Sequence, residues 1–391
     1  MKALRFSRLS LRNWRNFTAV SDLRMFGRVF VVGPNAIGKS NLLDVFRFLR
    51  DLALEGGGLA KALELRDGLS AVRSLHARKM TDVAIEVDVS DGDGSGWRYA
   101  LSFNKESGRR GRASVVSEQV WELIGGNVGR KLLSRPDKND RADVERLTQT
   151  AVQQTTANQA FRGLVDALKS VSYVHLVPQL LREEQGPRAG GLGNDPFGRD
   201  LLQRIQTTAP RTRQGRLTRI QKVLRIVAPQ LEELSFDPDD LGRPHLAAKF
   251  THWRAHAARQ RETQFSDGTL RLIGLLWTMQ EKAGPLLLEE PELSLHSGIV
   301  SRLAPFIHRA QQASDGRQII LSTHAHELLS DEGISPEEIV LVRPAKEGSE
   351  AIAGSSHEQI ARLMRSGSLA AEAVLPLSNA ANVELFDRAI P

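Results

Sequence analysis

Gly33-Pro34-Asn35-Ala36-Ile37-Gly38-Lys39-Ser40 fits the pattern G-x-x-x-x-G-K-[ST] without a mismatch. Glycines at both ends let the backbone curl until its N–H groups point at a phosphate chain. Lys39 then reaches the β- and γ-phosphates, and the Ser40 hydroxyl is a ligand for Mg2+. Gly33, Asn35, Gly38, Lys39, Ser40 and Asn41 are therefore the candidate nucleotide-binding residues. A phosphate loop also needs a carboxylate that holds the metal through its water shell, placed at the end of another apolar strand. Leu286-Leu287-Leu288-Glu289-Glu290-Pro291 supplies two. Glu289 is assigned to the metal side and Glu290 to the attacking water, which it would orient and polarise. The competing reading is a solvated strand end before a proline.

Two further segments carry weaker signals. Phe265-Ser266-Asp267-Gly268-Thr269 precedes an apolar stretch from Leu270 to Met279. Ser and Gly at a helix N-terminus make an anion site, but the same residues also read as a plain cap with Ser266 or Asp267 as the capping residue. Ile319-Ile320-Leu321-Ser322-Thr323-His324 puts a histidine just beyond a third strand, where it can meet a γ-phosphate and the catalytic water. His326 is the neighbouring candidate.

These segments need an α/β frame to converge. Arg28–Val32 reads as a buried strand entering the glycine turn, and residues 41–50 carry apolar side chains at helical spacing. Residues 83–89 and 97–103 alternate as an antiparallel hairpin around a Gly/Asp turn, and a further strand is expected from Val115 to Ile124. Residues 139–170 read as helix, 171–177 as a strand closed by Pro178, and 183–198 as a Gly/Pro-rich loop. Over 216–231, Leu217, Ile220, Leu224, Val227 and Leu231 fall on one helical face. The α/β pattern then resumes: strand 286–288, helix 297–313, strand 319–321, a helix from about 325, strand 339–342. The expected division is 1–178 and 263–391 as the two parts of one α/β unit, separated by a helical basic lobe at 179–262.

The chain of 391 residues has no cysteine, which excludes disulfides, thiolate metal sites and thiol nucleophiles. Its start is interrupted by charge, and no apolar run approaches the roughly 20 residues that span a bilayer. A soluble, cytoplasmic protein without a membrane partner is expected. Net charge is +7, and the whole excess lies in residues 199–261, which hold 13 Lys and Arg against 6 Asp and Glu. Such a segment suits a polyanion, or is a solvated helical face. Arg216, Arg219, Lys222 and Arg225 are expected on its exposed arc. Aromatic residues are sparse there (Phe236, Phe250, Trp253), so phosphate contact would dominate over base stacking.

In order along the chain, these motifs resemble the ABC-type ATPase superfamily, in the branch of stand-alone soluble members similar to RecF, SMC and the OLD-type ATPases. The resemblance runs from Leu9-Ser10-Leu11-Arg12-Asn13-Trp14-Arg15-Asn16-Phe17 to His324. Phe265–Thr269 looks like the ABC signature, Glu289-Glu290-Pro291-Glu292-Leu293-Ser294-Leu295-His296 like a joined Walker B and D-loop, and His324 like the switch histidine. Gln179 is the matching Q-loop glutamine, a nucleotide- and metal-side residue. The resemblance implies an ABC-type head with a central, mostly parallel sheet, an antiparallel β subdomain and a helical basic insertion. It implies ATP and Mg2+ as cofactors, with Glu290, His324 and Lys39 catalytic and Ser40, Glu289 and Gln179 at the metal. It also implies a homodimer, or higher assembly, sandwiching two ATP, with Ser266 and Gly268 of one subunit touching the γ-phosphate held by Lys39 of the other. No insertion of SMC coiled-coil length is present, and fewer than 50 residues follow Val342, too few for a Toprim nuclease domain. A nuclease or effector under its control would be a separate polypeptide. Two functions remain open: an ATPase engaging nucleic acid in repair or antiphage defence, and an ATP-dependent scaffold that holds and releases a partner protein.

Overall fold

The computed structural model describes residues 3–78, 80–105, 112–182, 195–251, 259–281, 284–313 and 315–378. Fifteen strands occur among them. The first seven are β1 (Arg5–Trp14), β2 (Phe17–Arg24), β3 (Arg28–Val32), β4 (Val83–Ser90), β5 (Gly96–Lys105), β6 (Ala113–Ile124) and β7 (Asn127–Arg135). Then follow β8 (Ser172–Val174), β9 (Leu231–Phe236), β10 (Leu246–Phe250), β11 (Arg259–Arg261), β12 (Leu286–Glu289), β13 (Ile319–Thr323), β14 (Ile339–Pro344) and β15 (Ser349–Ala353). Twelve form one sheet in the order β7-β6-β5-β4-β1-β2-β15-β14-β3-β13-β12-β8. Strands β14, β3, β13, β12 and β8 are mutually parallel, whereas β7 through β2 are antiparallel. The expected α/β class, with its parallel centre and antiparallel β part, is what the chain forms, and the two parts share one continuous sheet.

The parallel strands are short and apolar throughout because helices cover both faces. One face, carrying Val29, Val31, Leu287 and Ile320, packs on the Lys39–Ala53 helix through Leu42, Leu43, Phe46 and Leu49. The other, carrying Phe30, Leu288, Leu321 and Leu341, packs on the Ser297–Ala313 helix through Val300, Leu303 and Ile307. A third core holds the lobe together: Leu217, Ile220 and Leu224 of the Pro210–Val227 helix meet Leu231, Leu234 and Leu246 of a second sheet, β11-β10-β9. The Asp267–Met279 helix joins two of these cores. Its Leu275 and Met279 lie in the parallel-sheet core, and its Ile273, Leu276 and Trp277 lie in the lobe core. A helix that is apolar all round is a helix buried all round.

Several expected elements take another form. Residues 139–170 are not one helix: a turn at Lys138–Ala142 gives way to a 3-10 turn at Val144–Thr148 and irregular backbone, and regular helix returns only at Arg162–Lys169. The cause is Arg135. Its buried guanidinium binds both carboxylate oxygens of Asp140 at 2.9 and 3.0 Å and the carbonyls of Arg146 and Gln149 at 2.9 and 2.8 Å. Those carbonyls are the ones a continuous helix would use internally. The expected strand 171–177 is only Ser172–Val174, and Pro178 opens a short helix, Pro178–Arg182, rather than closing the strand. The helix expected at 216–231 spans Pro210–Val227, Val227 is exposed, and Leu231 instead starts β9. The segment expected to be helical thus also carries a three-stranded sheet. Of the loop expected at 183–198, residues 183–194 lie outside the described residues, as do Trp253 and Arg254.

Candidate functional site

The site lies where β3, β12 and β13 end side by side. β3 is flanked by β13 and β14, and β13 by β12, all parallel. The loops after these strands therefore leave the same edge of the sheet, where open α/β sheets bind ligands. After β3 the chain turns through Ala36 at φ 61° and Gly38 at φ 108°, then enters the helix at Lys39. Gly38 is required twice over: its backbone is left-handed, and a Cβ there would sit 2.2 Å from the Asn16 amide nitrogen. That amide braces the loop from behind. Asn16 Nδ2 donates to the Ile37 carbonyl at 2.5 Å, Ser349 Oγ donates to the same carbonyl at 2.9 Å, and Asn41 Nδ2 donates to Asn16 Oδ1 at 2.7 Å. Asn41 is thus engaged with Asn16, while Asn35 is exposed on the loop. The role of Asn16 was not assigned from the sequence, because it acts through a backbone 21 residues away.

Lys39 is buried, and its Nζ donates to the carbonyls of Gly33 at 2.9 Å and Pro34 at 3.1 Å. Burial pushes its pKa down, opposed by the negative charges of Glu290, Glu292 and Glu289. Ser40 Oγ donates to Glu289 Oε1 at 2.5 Å, and the other oxygen of Glu289 accepts from the Tyr173 hydroxyl. Two of the three residues expected at a metal, Ser40 and Glu289, are therefore in contact.

Glu290, one residue on, faces a different neighbour. Its Oε1 is 3.2 Å from His324 Nδ1. Its backbone is left-handed, φ 42°, which is costly for a residue with a Cβ. The N–H holds it there by donating to the carbonyl and hydroxyl of Ser322 on β13, at 3.1 and 3.3 Å. Adjacent glutamates thus point at adjacent tasks. His326 is not part of this pair; its ring lies 3.2 Å from Ser330 Oγ. Glu292, two residues beyond Glu290, carries no expected role in the motif. It is buried and accepts from Thr323 Oγ1 at 2.5 Å and the His324 N–H at 3.3 Å, so it fixes the backbone that carries His324. Burial raises its pKa.

Ser266 caps the Asp267–Met279 helix by accepting the Thr269 N–H at 3.2 Å and remains exposed. The capping alternative therefore holds, and it leaves the anion reading intact. Gly268 sits where a Cβ would lie 2.6 Å from the Ser294 carbonyl, so this segment and the loop after Glu290 are in close backbone contact. His296 accepts the Gly298 N–H at the start of the next helix. Gln179 is the exception among the expected residues. Its amide donates to Asp267 at 2.7 Å beside Arg182, which binds the same carboxylate at 2.6 Å. The structure therefore does not bring Gln179 to Ser40 and Glu289; the side chain at that position is Tyr173, on the strand just before it.

The basic segment is also reorganised. Arg216 lies with its guanidinium 5.1 Å from the centre of the Trp277 ring, and burial lowers its pKa. Arg225 donates to the carbonyls of Leu231 and Glu232. Arg199, Arg204, Arg243, Lys249 and Arg259 lie within 3.8 Å of Asp195, Asp200, Asp239, Glu232 and Asp237 in turn. Arg211, Arg219, Lys222 and Arg261 are exposed, with Arg219 reaching Gln280 at 2.6 Å. The expected exposed arc of four cations is thus corrected at Arg216, which packs on an aromatic ring; Arg225 is exposed as expected, with its guanidinium tied to strand carbonyls.

Residues 28–330 match the protein family described as "AAA domain, putative AbiEii toxin, Type IV TA system". A 93-residue stretch is 33% identical to the chromosome partition protein Smc of Cereibacter sphaeroides; it makes up 22% of this chain and 8% of that protein, so the likeness covers a small fraction of Smc. Among solved structures, the Smc head domain with an extended coiled coil bound to the C-terminal domain of ScpA, derived from Pyrococcus furiosus, is similar in fold. Its TM-score is 0.50 and its identity 12%, over 93% of this chain and 99% of that one. The SMC head domain from Thermotoga maritima scores 0.45 at 13% identity, over 89% and 98%. Among the described residues no helix is long and apolar enough to cross a membrane.

Proposed function

Because the chain belongs to this AAA-domain family, as a P-loop ATP hydrolase of the ABC and SMC-head type, we propose that it works as an Mg2+-dependent, ATP-sandwiched dimer. The observation that carries the reading is the divided carboxylate pair, Glu289 on Ser40 and Glu290 on His324, both near enough to act on the charge of Lys39. Ser40 and Glu289 offer two hard oxygen donors in contact, which suits Mg2+. Bound there, the ion would neutralise charge on the β- and γ-phosphates. Lys39 exchanges its two loop carbonyls for phosphate oxygens. Glu290 orients and polarises the attacking water, and His324, held by Glu290 and by the Glu292-anchored backbone, orients the terminal phosphate. Gln179 is given a positioning role, linking the Pro178–Arg182 helix to the signature through Asp267.

Ser266 is exposed at a helix N-terminus, with Gly268 in the first turn behind it, which supports completion of the site by the opposite subunit. Mixing Lys39→Ala with Ser266→Arg tests this. Heterodimers retain one composite site with both residues intact, so turnover should partly return; complete absence of rescue contradicts the dimer.

The second reading, an ATP-dependent scaffold for a separate protein, gains from the lobe. Most of its cations are tied to acids, carbonyls or rings, which leaves Arg211, Arg219, Lys222 and Arg261 for a polyanion. A family described as a putative toxin of a toxin–antitoxin system, and an Smc head solved bound to ScpA, both support a partner polypeptide. Residues 179–262 would be the lobe that meets it, between the head halves 1–178 and 263–391.

A further inference from the structure

Tyr173 has no part in the mechanism above, yet it touches the residue at its centre. The chain has two tyrosines, and both bury the hydroxyl against a glutamate. Tyr99 does so deep in the antiparallel part, where Glu118 also takes the Ala151 N–H and the Arg135 guanidinium; that is a filled structural site. Tyr173 differs in its partner. Glu289 is only partly buried, and its carboxylate spans two hydroxyls, Tyr173 on one oxygen and Ser40 on the other.

The placement follows from strand register. β8 runs parallel to β12 with Tyr173 opposite Leu287. Side chains alternate along a strand, so Leu287 and Glu289 share a face, and Tyr173 shares it with them. That face is the one covered by the Lys39–Ala53 helix, and Tyr173 is 8% exposed in its core. From that helix Arg47 places its guanidinium 5.3 Å from the centre of the tyrosine ring. The ring is thus held between the phosphate-loop helix and the edge strand, and its hydroxyl has one direction to point.

We propose that Tyr173 is a positioning residue for Glu289: it holds one carboxylate oxygen so that the other stays on the Ser40 side, where Mg2+ is to bind. The proposal rests on the reading of Glu289 given above. A phenol suits the task because it is a neutral donor. It stops the carboxylate from rotating without cancelling the charge that attracts the ion, as a lysine or arginine would. Sequence reading passes over it, since a lone tyrosine in a strand is ordinary core.

The test uses full-length protein carrying Glu290→Gln, so that ATP stays intact, with Mn2+ as the probe and its bound fraction read by electron paramagnetic resonance. Tyr173→Phe keeps the ring and its contact with Arg47, so folding and metal-free ATP binding should be unchanged. Mn2+ affinity in the presence of ATP should fall about tenfold, the scale of one hydrogen bond to a charged group. Glu289→Gln should weaken it further, and Tyr173→Phe added to Glu289→Gln should cost nothing more. If Glu289→Gln weakens Mn2+ and Tyr173→Phe does not, Tyr173 is packing only and the proposal is wrong. A full tenfold loss on top of Glu289→Gln also overturns it, because Tyr173 would then act independently. No effect from either variant would remove the Glu289 assignment itself, and the proposal with it.

Discussion

The nucleotide corner and the 195–262 lobe are both rich in charge, but they use it in opposite ways. In the corner, Ser40, Glu290 and His324 keep solvent-facing atoms and make one or two contacts each. In the lobe, a cation is typically the end of a structural bond: Arg216 on Trp277, Arg225 on strand carbonyls, Arg204 between Asp200 and Glu281. A functional site leaves its groups under-committed, whereas a structural one consumes them. Net charge counts both alike. The +7 of the basic segment therefore overstates how many cationic side chains are free to reach a partner.

The largest effect should come from the corner. Lys39→Ala removes the charge proposed to pair with the β- and γ-phosphates inside the loop. ATP binding, measured by equilibrium titration, should be abolished; undiminished affinity would mean the loop is an ordinary turn.

Next in size is a consumed charge outside both regions. Asp140→Asn should destabilise the protein by about 2–3 kcal/mol, because Arg135 loses a charged partner in a buried place. The same residue sets an acid limb. The Arg135 hydrogen bonds hold the Asp140 pKa well below the usual carboxylate range. Its stabilisation is therefore complete above the unfolded value of about 4 and is lost as pH falls below it. Denaturant midpoints across an acid series should show the limb, and Asp140→Asn should flatten it. ATP affinity should not change.

The smallest effects divide the lobe's own cations. Arg216→Gln and Arg225→Gln should each cost about 1 kcal/mol of stability, through a lost cation–ring contact and lost carbonyl bonds. Arg219→Gln and Lys222→Gln should cost under about 0.5 kcal/mol. If the lobe binds duplex DNA, the latter pair should flatten the log–log salt slope by about 2 units, at roughly 0.9 per phosphate contact. A stability loss from Lys222→Gln matching that from Arg216→Gln would erase the distinction between used and available charge.

How far each region could be read from sequence follows the same division. Gly33–Ser40, Glu289–Glu290 and His324 are legible because each is a short local pattern at a strand end, and parallel pairing brings local patterns together. The strands around them were legible for the same reason, as apolar runs such as Arg28–Val32. What was missed depends on partners far along the chain. Arg216 faces Trp277, 61 residues on; Arg135 takes the carbonyls that residues 139–170 needed for helix; Gln179 meets Asp267, 88 residues on. β7 escaped notice because it is an exposed edge strand whose side chains show little alternation, and β9 because its first residue, Leu231, also fits a helical face.

The most direct measurement on the corner is single-turnover hydrolysis by Glu290→Gln alongside ATP occupancy. The amide keeps the shape of the side chain but loses the charge proposed to polarise water. ATP should remain bound at wild-type occupancy while the hydrolysis rate falls by roughly 10²–10⁴-fold, and an ATP-bound dimer should accumulate. Hydrolysis at the wild-type rate in this variant, with Glu289→Gln inactive, would mean that the two adjacent glutamates hold each other's assigned roles.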